Sequence, residues 1–142
     1  MTTAPTQATD TLPDREVCGL VNELNQVIET HLRHGAQHLQ LTPAQALALR
    51  ELGEPLTLRE LASRMCCEPS NASYVADRLV GLKWVRRDEH PTDRRAKILT
   101  LTPEGEAKRA QLLSRLSDGS PLASLSRDEI SHLKVLLQKA CS

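Results

Sequence analysis

With one Trp, one Tyr and no Phe in 142 residues, the core must be built from Leu, Val, Ala and Ile, which favours helices and argues against an all-β sandwich. Eighteen basic and eighteen acidic side chains leave no net charge, which counts against a uniformly basic nucleic-acid binder. No apolar run nears the roughly 20 residues needed to span a membrane, and Met1 to Asp10 has neither the basic nor the apolar region of a signal peptide, so residues 1–12 read as a disordered tail on a cytoplasmic chain.

Beyond the tail, the chain is punctuated by helix signals. Val17, Leu20, Val21, Leu24, Val27, Ile28 and Leu32 recur at three- and four-residue steps and predict an amphipathic helix over 14–38. Thr42-Pro43-Ala44-Gln45 joins an N-cap, a proline at the first helical position and a capping-box Gln, opening a helix to about Glu51. Thr57-Leu58-Arg59-Glu60 is a second capping box, for a helix to about Met65, and Pro69 starts another that runs to about Val80. The period then changes. Trp84 to Arg87 and Ala96 to Leu101 read as two short strands flanking a charged tip, His90-Pro91-Thr92-Asp93-Arg94-Arg95. Thr102-Pro103-Glu104-Gly105 opens a polar helix to about Leu116, Ser117 to Ser124 is a loop, and the box Ser126-Arg127-Asp128-Glu129 begins a last amphipathic helix over 126–140. The fold class is mainly α with a small β-hairpin: a winged helix-turn-helix over 41–116, flanked by N- and C-terminal helices within a single domain, 13–142.

The chemistry concentrates between Ser70 and Thr102. Small hydrogen-bonding side chains, Ser70, Asn71 and Ser73, open a helix that continues with Tyr74 and Arg78, while Ala72, Val75 and Leu79 fall on its opposite, core-facing side. Asn can contact adenine with two hydrogen bonds and Ser can serve several bases; a helix end enters a major groove, and an arginine at a hairpin tip reaches a minor groove or a phosphate. The competing reading is that Ser70 and Asn71 satisfy free N–H groups of the first turn and that the tip arginines are solvated. Charge segregation favours DNA. Arg78 to Lys97 holds seven basic against three acidic side chains, whereas Asp10 to Glu60 holds four against eight.

These motifs resemble the MarR family of bacterial transcriptional regulators over roughly Leu41 to Leu116. Leu61-Ala62, Pro69-Ser70-Asn71-Ala72-Ser73, Asp77-Arg78-Leu79, Asp93-Arg94-Arg95 and Leu101-Thr102-Pro103-Glu104-Gly105 occur in the family's order and at its spacing. The resemblance implies an obligate homodimer, held by the first and last helices, that binds double-stranded, pseudo-palindromic DNA and is a repressor released by a small effector. With so few aromatics, an aliphatic pocket with Arg and His donors suits an anionic or amphiphilic effector. It also implies DNA contacts from Ser70, Asn71, Ser73, Tyr74, Arg78, Arg94 and Arg95. Arg95 is favoured for DNA, and Arg94 for bracing the wing through Asp93 or Asp77. Where the family usually has Gly, in the helix-turn-helix turn and before the first wing strand, this chain has Cys66 and Lys83, so a local change of backbone is expected at both.

Other chemistries have thinner support. His31, His34 and His38 share one helical face, yet no further ligand is evident, and no metal or cofactor is expected. Cys18, Cys66 and Cys67 invite a redox reading, because some members of the family carry a reactive Cys in the first helix, but Cys18 has no neighbouring aromatic in that helix, and small buried Cys is the commoner role. No nucleophile elbow, Gly-rich phosphate loop, HExxH or CxxC is present, and no enzymatic activity is expected. Two alternatives stay open: a redox- or metal-sensing regulator on the same scaffold, and a dimeric interaction protein without specific DNA binding.

Overall fold

The capping sequences form the hydrogen bonds their spacing requires. A computed structural model describes residues 12–142; the expected tail over 1–12 lies outside the described residues, the backbone of Leu12 excepted, where α1 (Leu12–His38) begins. At α2 (Pro43–Glu51), Thr42 Oγ1 accepts the Gln45 N–H and Gln45 Oε1 accepts the Thr42 N–H, both at 3.1 Å. The same reciprocal pair joins Thr57 to Glu60 at α3 (Leu58–Met65), and Ser126 to Glu129 at α6 (Arg127–Cys141). Each pair satisfies two donors that a helix start otherwise leaves free. α4 (Pro69–Gly81) and α5 (Pro103–Ser117) also begin with proline, whose missing N–H would have had no partner there.

The structure has three strands rather than two. β2 (Val85–Glu89) and β3 (Lys97–Leu101) form the expected hairpin, in register from Val85 opposite Leu101 to Glu89 opposite Lys97. A further strand, β1 (Leu56–Thr57), pairs antiparallel with β3, Leu56 opposite Leu99, giving the order β1-β3-β2. At two residues β1 is too short to show any alternation, so nothing in the sequence marks it as a strand.

The chain divides into two units. Residues 31–118 hold every buried side chain among those described. Their core is aliphatic: Leu49, Leu52, Leu56, Leu61, Leu79, Leu99, Leu112 and Val85 are fully buried, and Trp84 is the one large ring among them. Leu-rich packing of this kind gains about 1.5–3 kcal/mol per fully buried side chain. Arg109 of α5 fastens α5 to α2, donating from Nε and one terminal nitrogen to the Arg50 carbonyl at 3.0 and 2.9 Å. The other unit, the described residues up to Thr30 together with Gly119–Ser142, has no buried side chain. Val17, Leu20, Val21 and Val27 on α1, and Ile130, Val135, Leu136 and Leu137 on α6, are all exposed.

Contrary to the expected change of backbone, both non-glycine replacements keep the conformation that glycine would favour. Cys66 has φ of 55° and Lys83 of 66°, both left-handed. Surrounding hydrogen bonds impose it. The Cys66 and Cys67 N–H groups close α3 on Ser63 and Ala62, and the Lys83 and Trp84 N–H groups close α4 on Val80 and Leu79.

Candidate nucleic-acid interface

α3 and α4 are joined by a turn through Cys66 and Cys67, which makes them a helix-turn-helix with α4 as the second helix. Its period sorts its side chains cleanly. Ala72, Val75, Ala76 and Leu79 are buried, while Ser70, Asn71, Tyr74, Asp77 and Arg78 are exposed and Ser73 is half-buried. Tyr74 is 70% exposed, although nothing about an aromatic ring prefers water.

The exposed ridge of α4 has a groove on either side. One, of about 800 Å³, lies between α3, α4 and the wing and brings together Ser73, His90, Asp93 and Arg95. The other, of about 540 Å³, lies against α2 and holds Asn71, Tyr74 and Arg78 beside Gln45 and Cys67. Of the predicted side chains, Ser73 and Arg95 thus share one groove and Asn71, Tyr74 and Arg78 the other, while Ser70 and Arg94 line neither. Of the predicted thiols, Cys66 is exposed and Cys67 half-buried in the turn, while Cys18 is exposed on α1 in the other unit; all are free.

Charge at this surface is uneven. Arg78, Arg94 and Arg95 make no ion pair among the described residues, whereas Arg86 pairs with Asp88 at 3.0 Å and Lys97 with Glu89 at 3.8 Å. Asp77 forms its ion pair with Arg87 of β2, not with the tip arginine Arg94. At the tip, Asp93 instead accepts the Arg95 N–H through Oδ1 at 2.9 Å, which orients the backbone of the loop. On α3, Glu60 is held below the ordinary carboxylate range, first by the Thr57 backbone N–H, then by the Thr57 side chain.

The base of the wing is fixed by Thr102. Its N–H donates to the Trp84 carbonyl at 3.0 Å, its hydroxyl donates to the Lys83 carbonyl at 2.7 Å, and the same oxygen accepts the Gly105 N–H at 3.0 Å. Gly105 lies so close to the Trp84 carbonyl that a Cβ there would overlap it. Neither Arg87 nor Thr102 is prominent as a site residue in the sequence. A lone strand arginine looks solvated, and a Thr-Pro pair looks like a cap and nothing more.

Of the three histidines on α1, His31 has a partner on α5. Its Nε2 lies 2.6 Å from the Leu116 carbonyl, an acceptor only, so that nitrogen is the donor. Among the described residues no group of three His, Cys, Asp or Glu side chains is placed to hold a metal ion, and no helix is long and apolar enough to cross a membrane.

A helix-turn-helix followed by a hairpin whose tip carries unpaired arginines defines a winged helix-turn-helix protein. Residues 41–97, from the start of the helix-turn-helix region to the second strand of the hairpin, match the model of the MarR family. The transcriptional repressor MdtR of Bacillus subtilis is 33% identical over 93 residues, covering 64% of this chain and 60% of MdtR. The transcriptional regulator BilQ of Clostridium symbiosum is 35% identical over 83 residues, 57% of this chain and 58% of BilQ. The chain thus matches less than two thirds of the length of either relative. A mutant MarR from E. coli, solved in complex with operator DNA, superposes with a TM-score of 0.69 at 25% identity, over 94% of this chain and 97% of that one.

Proposed function

We propose that this protein is a homodimeric transcriptional regulator that binds a pseudo-palindromic operator, acting as a repressor. The observation that carries the reading is the groove that joins Ser73 of α4 to Arg95 of the wing tip, beside exposed Arg78 and Arg94, none of these arginines in an ion pair among the described residues. Ser70, Asn71, Ser73 and Tyr74 would meet base edges in the major groove, Arg78 a phosphate, and Arg95 the minor groove. Asp77 and Asp93 would hold the wing in place, and Arg94, which pairs neither with Asp77, taken by Arg87, nor with Asp93, would be free for phosphate contact. The relatives' regulatory roles and the operator-bound neighbour support the same reading.

Dimerisation is supported by the unit built from the chain's two ends. A set of helices with no buried side chain and eight exposed large aliphatic residues cannot be stable alone, and a second copy is the simplest cover. Two α4 helices about 34 Å apart would then enter successive major grooves. The groove beside α2, with Leu47, Met65 and Val75 as walls and Gln45 and Arg78 as polar groups, suits a small anionic amphiphile as effector. The reading assigns no catalysis and places the protein in the cytoplasm with its DNA.

Selection of sites from a random duplex library tests it. Recovery of an inverted repeat of about 15–20 base pairs with half-sites one turn apart, bound more weakly by Arg95→Ala, is the expected result. Recovery of no sequence above background would overturn the reading.

A further inference from the structure

The wing tip is built around an acceptor that turns of this kind rarely use. Short Asp, Asn and Ser side chains ordinarily accept the N–H groups two or three residues on. Here the acceptor is an imidazole nitrogen: His90 Nδ1 accepts the N–H of Thr92 and the N–H of Asp93, both at 3.1 Å, with the Thr92 hydroxyl at 3.3 Å. Around this centre the Ala96 N–H donates to the Asp93 carbonyl at 3.2 Å, and the His90 N–H donates to the Ala96 carbonyl at 3.4 Å. The side chain of His90 and the carboxylate of Asp93 are thus the two side-chain acceptors that shape the loop carrying Arg94 and Arg95.

We propose that His90 is a positioning residue for DNA recognition: its unprotonated Nδ1 holds the wing tip closed, and protonation of that nitrogen opens the tip and removes the contribution of Arg95 to binding. A neutral imidazole with its proton on Nε2 offers Nδ1 as a lone pair; an imidazolium carries N–H on both nitrogens and has no acceptor left. Two backbone N–H groups would then face a third N–H. Loss of that acceptor on protonation links the closed tip to pH in a way that an Asn cap would not. Charged groups of both signs surround the ring. Arg59, Arg87, Arg95 and Lys97 share its groove with Asp93 as the one carboxylate among the lining residues, and Glu60 lies on the adjoining α3. Arg87 is paired with Asp77 and Lys97 with Glu89, which leaves Arg59 and Arg95 as the groove's cations without an ion pair among the described residues.

The proposal rests on the DNA-binding reading of the wing, and the test separates the two. In the full-length ¹⁵N-labelled protein without DNA, the His90 ring shifts at pH 8 should show an unprotonated Nδ1. On acidification to pH 5.5 the Thr92 and Asp93 amide signals should move together with the His90 ring. In His90→Asn, which supplies an acceptor that does not titrate, those amides should stay still. In the DNA arm, Arg95→Ala should weaken operator binding ~tenfold at pH 8 and by less than ~threefold at pH 5.5 in the wild-type background, but equally at both pH values in His90→Asn. A protonated Nδ1 at pH 8, amides that ignore the ring, or the same pH dependence in both backgrounds would each overturn the proposal. Absence of operator binding at either pH would instead remove the DNA-binding reading, with the amide titration still deciding the role of His90 in the tip.

Discussion

Arg87 on the first wing strand and Asp77 on the second helix of the helix-turn-helix form an ion pair, so the wing and the reading helix are tied to each other directly. Both side chains are more than a third exposed, which limits the thermodynamic weight of the contact. A double-mutant cycle with Asp77→Ala and Arg87→Ala, followed by chemical denaturation, should give a coupling of about 0.2–1 kcal/mol. The effect on binding should be of a different kind. Asp77→Ala releases a guanidinium toward phosphate, so affinity for random duplex should rise while the ratio of operator to random binding falls. Titrations against both DNAs would show it; an unchanged ratio would mean that the pair does not orient the wing.

Lys83 and Cys66 should each be improved by glycine. Both hold a left-handed backbone that costs an L residue roughly 1 kcal/mol and costs glycine nothing, although glycine gives part of that back through a more mobile unfolded chain. Lys83→Gly and Cys66→Gly should therefore raise unfolding free energy by roughly 0.5–1 kcal/mol. Lower stability in either variant would show that its side chain supplies packing beyond what the backbone loses.

These two positions also show how much of the molecule can be read from its sequence. Every capped helix is legible, because Thr42, Thr57, Thr102 and Ser126 each place an acceptor three residues before the donor it must meet. The outward and inward faces of α4 are legible for the same local reason. The backbone at Cys66 and Lys83 is not, since the hydrogen bonds that force it come from the closing turns of α3 and α4 and override residue preference. Nor are β1, whose partner Leu99 is 43 positions from Leu56, the Asp77–Arg87 pair, or the acceptor role of His90. Each depends on what the folded chain brings together.

Gly105→Ala should be among the most damaging single-methyl changes in residues 31–118. The added carbon would overlap the Trp84 carbonyl, a backbone atom that cannot swing aside as a flexible side chain could. Overpacking of this kind costs about 2 kcal/mol, and the base of the wing would shift with it. Thermal unfolding and operator binding should both decline. A variant as stable as the parent would mean that α5 can slide without disturbing the hairpin.

Acid should weaken the start of α3 before it unfolds the protein. Glu60 in the folded chain holds its charge to lower pH than it does unfolded, because Thr57 donates to it. Its contribution is therefore complete above the ordinary carboxylate range and is lost as pH falls through the lowered folded value. The stability curve of Glu60→Ala should lie below that of the parent near neutrality and approach it in acid. Parallel curves would show that the capping box is not linked to protonation.

Replacing Leu20 and Leu136 together with Glu should yield monomers. Both are more than half exposed in the single chain, so the changes cost the monomer little but place charge on the faces we assign to a second copy. Light scattering after gel filtration would report the mass, and circular dichroism should show helix lost from the uncovered ends of the chain while residues 31–118, which hold the buried core, stay folded. A double variant that remains dimeric would place the interface elsewhere.

Thr102 makes the wing a lever. It clamps the Lys83 and Trp84 carbonyls at the foot of the hairpin to the first turn of α5, leaving no slack between helix and strands. Beyond that fulcrum β2 extends five residues, an arm of ~17 Å at strand spacing. A tilt of ~10° at the start of α5 would carry Arg94 and Arg95 through ~3 Å, about the length of one hydrogen bond. Whatever moves α5 slightly is thus magnified at the wing tip into a displacement large enough to make or break a contact of either arginine.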